Sequence, residues 1–121
     1  FLRVAPFPLG SLVVLNFDML GAAAAVPVSL YSAGDRGSLA LAAALSKALG
    51  KAGIVAKSEY PVYNVDSGPF AGAAAAAVTL CKYEEGVHHT HGDVAAVVSG
   101  RELAALEDAV YAFILERLPK R

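Results

Sequence analysis

Hydrophobic and polar positions alternate along the chain in blocks that change period. Ser11 to Met19, SLVVLNFDM, is a β-branched and aromatic run bounded by Gly10 and Gly21, with apolar residues on both faces, and predicts a buried strand. A second strand is predicted at Val26 to Tyr31, closed by the turn Ser32-Ala33-Gly34-Asp35. Leu39, Ala42, Leu45, Leu49 and Ala52 then recur at helical spacing, which predicts a helix capped by Ser38, frayed at Gly50 and Gly53, and packed on the sheet. Ile54 to Lys57 and Pro61 to Asn64 are weaker extended segments. Asp66-Ser67-Gly68-Pro69 is turn chemistry leading into a short alanine-rich helix, and Ala76 to Cys81 is another buried strand. After the polar loop Gly86 to Asp93, Ser99-Gly100-Arg101-Glu102 reads as a capping box. The long helix behind it carries Leu103, Leu106, Val110, Phe113 or Ile114, and Arg117 on one face and stops at Pro119.

Strands apolar on both faces that alternate with helices predict an α/β fold: a layered α/β/α arrangement around a mixed, mostly parallel sheet. Composition agrees with buried layers. Of 121 residues, 56% are hydrophobic and 17% charged, and the mean hydropathy is +0.52, which excludes a disordered tail. Alanine supplies roughly a fifth of the chain, so large side chains are scarcer than those figures suggest. The formal charge of −1 gives no electrostatic case for nucleic acid or an anionic membrane. Pro6, Pro8, Gly10, Asn16, Asp18 and Pro27 interrupt the apolar runs before ~20 residues accumulate, so the chain reads as soluble, cytoplasmic or secreted. High hydropathy, short length and a start at Phe1 point to a single domain over residues 1–121 that is the C-terminal portion of a larger one.

Three polar features fall where strands end, which is where open α/β sheets place their sites. Asp18 sits in an apolar strand and needs a partner: backbone amides or a metal. His88, His89 and His91, with Asp93, fill one short loop; they read as zinc ligands or as a solvated histidine tract. Asp66 belongs to a turn that is structural if nothing else is considered. Glu84-Glu85 reads as solvated loop. Cys81 and the serines lie in no nucleophile motif, so no catalytic residue is assigned, and no phosphate-binding glycine loop is present.

In order, these features resemble the C-terminal half of the catalytic domain of the co-catalytic di-zinc exopeptidases, which include bacterial leucyl aminopeptidases, aminopeptidase Y and glutamate carboxypeptidase. The family's N-x-D-M-x-G strand end matches Asn16-Phe17-Asp18-Met19-Leu20-Gly21. Its S-D-H-x-P-F segment is matched in part by Val65-Asp66-Ser67-Gly68-Pro69-Phe70, its G-I-P-A-V-x-L strand by Ala77-Val78-Thr79-Leu80, and its H-T-x-x-D loop by His89-Thr90-His91-Gly92-Asp93. The resemblance implies a phosphorylase/hydrolase-like zinc peptidase fold, incomplete in this chain, and a peptide substrate. It also implies that Asp18 ligates one zinc and His89 the other, with Asp66 and Asp93 in support.

The family's first histidine ligand, bridging aspartate, catalytic glutamate and neighbouring glutamate ligand all precede its N-x-D strand, and here only Phe1 to Leu15 do. Glu84-Glu85 lies on the wrong side of Asp18 to replace them. Two ligands of five make a poor site, since catalytic zinc takes three protein ligands. The expectation is therefore a chain that is inactive alone and partnered by a missing N-terminal half or by its own copies. The competing expectation, from a different class, is a non-catalytic peptidase-like module acting in binding or oligomeric assembly.

Overall fold

The computed structural model describes residues 8–59, 65–83 and 86–117. Among these residues four strands, β1 (Val13–Asp18), β2 (Val28–Ser32), β3 (Ala56–Glu59) and β4 (Ala76–Cys81), and two helices, α1 (Arg36–Lys51) and α2 (Gly100–Leu115), form an α/β domain. The sheet order is β1-β4-β2-β3. β1 runs parallel to β4 with Asp18 opposite Cys81, β2 runs parallel to β3, and β4 meets β2 antiparallel with Leu30 opposite Leu80. The sheet is thus mixed, as its sequence pattern predicts.

Strand parity sorts the two faces. Leu15 and Phe17 of β1, Val78 and Leu80 of β4, and Val28 and Leu30 of β2 share one face. Both helices pack there: Ala42, Leu45 and Leu49 of α1 and Leu106, Val110 and Phe113 of α2 join Val28, Leu30, Val78 and Leu80 in one buried cluster. Helices on both sides were the expectation; among the described residues both lie on one. Asn16, Asp18, Thr79, Cys81, Ser29 and Tyr31 occupy the other face, where the 3-10 turn Gly68–Phe70 packs against β4.

Other differences from the pattern have local causes. β4 is central and buried at all six positions, whereas β1, expected to be buried, is an edge strand with Val13 and Phe17 exposed. A hydrophobic run reports suitability for burial and not the presence of a neighbour. The alanine-rich segment after Pro69 forms turns and no α-helix. The extended segment expected at Pro61 to Asn64 lies outside the described residues.

Asp35, not Ser38, caps α1. Its carboxylate accepts from the Ser38 N–H at 2.9 Å and from the Ser38 hydroxyl at 2.5 Å, while the Ser38 oxygen accepts from the Ala77 N–H at 2.9 Å. The helix therefore begins three residues earlier, at Arg36, and Ser38 replaces Leu39 on the buried face. Of the capping box on α2, half forms. Ser99 accepts from the Glu102 N–H at 3.3 Å, but the Glu102 carboxylate pairs with Lys82 at 2.9 Å, and the Ser99 N–H donates to Gly21.

The Ser38 hydroxyl, followed by its N–H, holds the Asp35 carboxyl below its ordinary value. A depressed folded value means that this cap stabilises fully above the unfolded value near pH 4 and fades as pH falls through the folded one. Asp35→Ala should cost about 1 kcal/mol at neutral pH, and urea unfolding of the two proteins should converge well below pH 4. A gap that persists at low pH would remove the carboxylate as its origin.

Candidate functional site

Because β1 and β4 are adjacent and parallel, their C-terminal ends open at the same edge of the sheet. Asp18 ends β1 there, and the loop bearing His89 leaves β4 just beyond it. The chain then turns sharply on both sides. Met19, which follows Asp18, has φ 48°, and His89 has φ 59°; among the described residues these are the two non-glycine positions in the left-handed region. Such conformations cost of order 1–3 kcal/mol each and persist where surrounding contacts fix them. Gly21 completes the first turn with φ +94°, where a Cβ would stand 2.7 Å from Leu103. Its carbonyl accepts the Ser99 N–H, which seats α2 against the end of β1.

The histidine loop is closed by its own polar groups. The Thr90 hydroxyl donates to the Val87 carbonyl at 2.6 Å, the Gly92 N–H donates to the Thr90 hydroxyl at 3.1 Å, and the His89 N–H donates to Asp93 Oδ2 at 3.3 Å. His89 is exposed, with its ring 3.7 Å from that of His88, which in turn lies 4.7 Å from Tyr83. A cavity of about 130 Å³ lies just past the strand ends, lined by Met19, Leu20, Lys82, Tyr83, His88 and Asp93 among others. The positive charge on its wall, Lys82, is neutralised by Glu102.

Of the sequence candidates, His88 and Asp93 line this cavity, and Asp18 and His89 do not. Asp66 is exposed and does not line the cavity. Its neighbour Ser67 turns inward instead: Asn16 Nδ2 donates to Thr79 Oγ1 at 3.2 Å, and Thr79 Oγ1 donates to Ser67 Oγ at 2.7 Å. This chain joins β1, β4 and the turn at 65–67, so three motif segments are tied together behind the site. None of the three residues was singled out from sequence as functional, although Thr79 is the one polar residue of a wholly buried strand. Burial, and then the nearby Asp18 carboxylate, push the Cys81 thiol up to about 11. It is protonated at neutral pH and is no nucleophile.

A carboxylate and an imidazole at one sheet end are chemically suited to a divalent zinc ion. They are too few to hold it alone, and among the described residues no group of three or more His, Cys, Asp or Glu side chains could hold a metal. No helix among them is long and apolar enough to cross a membrane. No family model, curated protein or solved structure matches the chain.

Proposed function

We infer that the chain is part of a co-catalytic di-zinc aminopeptidase, an exopeptidase that hydrolyses N-terminal peptide bonds, and that it brings one ligand to each of two zinc ions. Asp18 serves one and His89 the other. The observation that supports this reading most is the parallel pairing of β1 with β4, which sends Asp18 and the His89 loop from the same end of the sheet. The left-handed backbone at Met19 and His89 adds to it, since strain collects at sites whose geometry is imposed.

Within this reading Asp93 fixes the course of the loop through the His89 N–H, and Asp66 supports the neighbouring turn. A zinc pair held there would supply Lewis-acid polarisation of the scissile carbonyl and a water of lowered pKa. The remaining ligands and the general base come from other polypeptide, which also supplies the second helical layer of an α/β/α zinc peptidase fold. The chain by itself should therefore show no metal-dependent aminopeptidase turnover.

Zinc titration against a chromophoric chelator, run on the chain joined to the polypeptide that completes the donor set, tests the ligand assignment. Asp18→Ala and His89→Ala should each weaken zinc binding at least ~10-fold, while His91→Ala should leave it unchanged. Equal zinc affinity in the wild type and both alanine variants would overturn the assignment. The short donor set also favours a second reading, a non-catalytic peptidase-like module for binding or assembly, and binding lost with His91 but not with Asp18 would favour it.

A further inference from the structure

Directly after the buried strand β4 comes a lysine. The Lys82 side chain is only 10% exposed, against 48% for Glu102, the carboxylate it reaches in the first turn of α2. Replacing a buried ion pair by apolar side chains of similar volume is often neutral or stabilising. Stability alone therefore gives no reason for a charge at position 82.

A hydrogen bond elsewhere gives one. Ser99 is the N-cap of α2 and Glu102 its third helical residue, the spacing at which a glutamate reaches back to the N-cap N–H. Here that N–H donates to the Gly21 carbonyl at 2.8 Å. The Ala23 N–H donates to the Val97 carbonyl at 2.9 Å beside it, and together the two bonds make the antiparallel bridge between Ala22 and Val98. On its other side the same turn is held by Lys82, whose N–H donates to the Met19 carbonyl and whose carbonyl accepts the Ala22 N–H, both at 3.3 Å. The turn at 19–22, left-handed at Met19 and Gly21, is thus gripped from β4 and from the start of α2. It follows Asp18 immediately.

We propose that Lys82 is a positioning residue for Asp18: by engaging the Glu102 carboxylate it keeps the Ser99 N–H on Gly21, and so fixes the turn that carries Asp18. Two arrangements compete for one donor. With Lys82 present, Glu102 pairs with the ammonium and the bridge at Ala22 is complete. Without it, Glu102 closes the capping box, takes the Ser99 N–H and releases Gly21. The consequence for zinc rests on the function proposed above; the competition at Ser99 does not.

Amide hydrogen exchange of the 121-residue chain reads the turn directly. Lys82→Met should speed exchange at Ala22 and Ala23 by ~10-fold through local opening, with the unfolding midpoint unchanged or raised. Glu102→Ala should lower the midpoint by stranding Lys82, yet leave both amides protected, because the competitor for Ser99 is gone. The double variant Lys82→Met/Glu102→Ala should restore protection at Ala22 and Ala23. An ion pair that merely braces the fold predicts the opposite, with the turn loosened in both single variants and in the double. On the chain joined to the polypeptide that completes the donor set, zinc affinity should fall ~10-fold in Lys82→Met and recover in the double variant. Unchanged exchange or failure to fold in Lys82→Met, or no recovery in the double variant, would overturn the proposal. So would zinc affinity that drops in Asp18→Ala but not in Lys82→Met. Zinc affinity indifferent to Asp18→Ala would instead overturn the zinc reading, and the exchange data would still decide the competition at Ser99.

Discussion

Gly37→Ala should destabilise the protein by about 3 kcal/mol or more, although the residue lies in the first turn of a helix where alanine is intrinsically favoured. A Cβ at position 37 would stand 1.9 Å from the Ala75 carbonyl oxygen, far inside contact distance. That oxygen belongs to the backbone just ahead of β4, whose neighbouring N–H groups are already committed: Ala75 donates to Leu12 and Ala77 to Ser38. Relief requires either α1 or the entry to β4 to move, and both carry the core. Gly50→Ala, near the other end of the same helix, meets no atom within 4 Å and should stabilise by up to about 1 kcal/mol through helix propensity. Paired thermal or urea unfolding of the two variants measures the contrast. A Gly37→Ala protein as stable as Gly50→Ala would mean that α1 does not approach β4 this closely.

This contact illustrates what the sequence could and could not reveal. The existence of the helix was readable, because Ala42, Leu45 and Leu49 repeat at helical spacing and become its buried stripe. Its starting residue was not, because Asp35 and Ser38 are both good caps and the choice is made by Ala77, distant in sequence, which takes the Ser38 hydroxyl. The capping box on α2 yielded in the same way when Lys82 drew away the Glu102 carboxylate. Burial of β4 was legible from its unbroken apolar run. The edge position of β1 was not, since two strands with similar runs are distinguished by which neighbours the rest of the fold supplies.

The candidate site divides along the same line. Asp18 and the histidine loop stand out locally, one as a carboxylate in an apolar strand and the other as three histidines within four residues. Their placement at one end of the sheet depends on β1 pairing with β4 across more than sixty residues of chain, which no local pattern encodes. Asp66 was the more conspicuous residue of its turn because it is charged. The inward residue is Ser67, and its role follows from Thr79 being available to meet it.

Thr79→Val should therefore cost about 2–3 kcal/mol, more than its near-equal volume suggests. Thr79 is 0% exposed, and its hydroxyl is the middle member of the chain from Asn16 to Ser67. Replacing it with a methyl group leaves the Ser67 hydroxyl buried without its donor and Asn16 without its acceptor, and each orphaned buried group costs about 1–3 kcal/mol. Removing the second partner as well should recover part of the loss. Ser67→Ala in the Thr79→Val background eliminates one stranded hydroxyl, so the double variant should unfold no more easily than Thr79→Val alone, and the coupling energy between the positions should be at least about 1 kcal/mol. Strictly additive losses in that cycle would show that the two hydroxyls do not interact. The same network also bears on the site. Asn16 stands two residues before Asp18 on the same face of β1, and Ser67 anchors the turn beside it. Loosening the network should thus weaken zinc binding through Asp18 and spare the His89 loop, whose hydrogen bonds run through Thr90 and Asp93. Amide hydrogen exchange separates the two: faster exchange across β1 and residues 67–70 in Thr79→Val, with unchanged protection at Thr90 and Asp93, is the expected pattern.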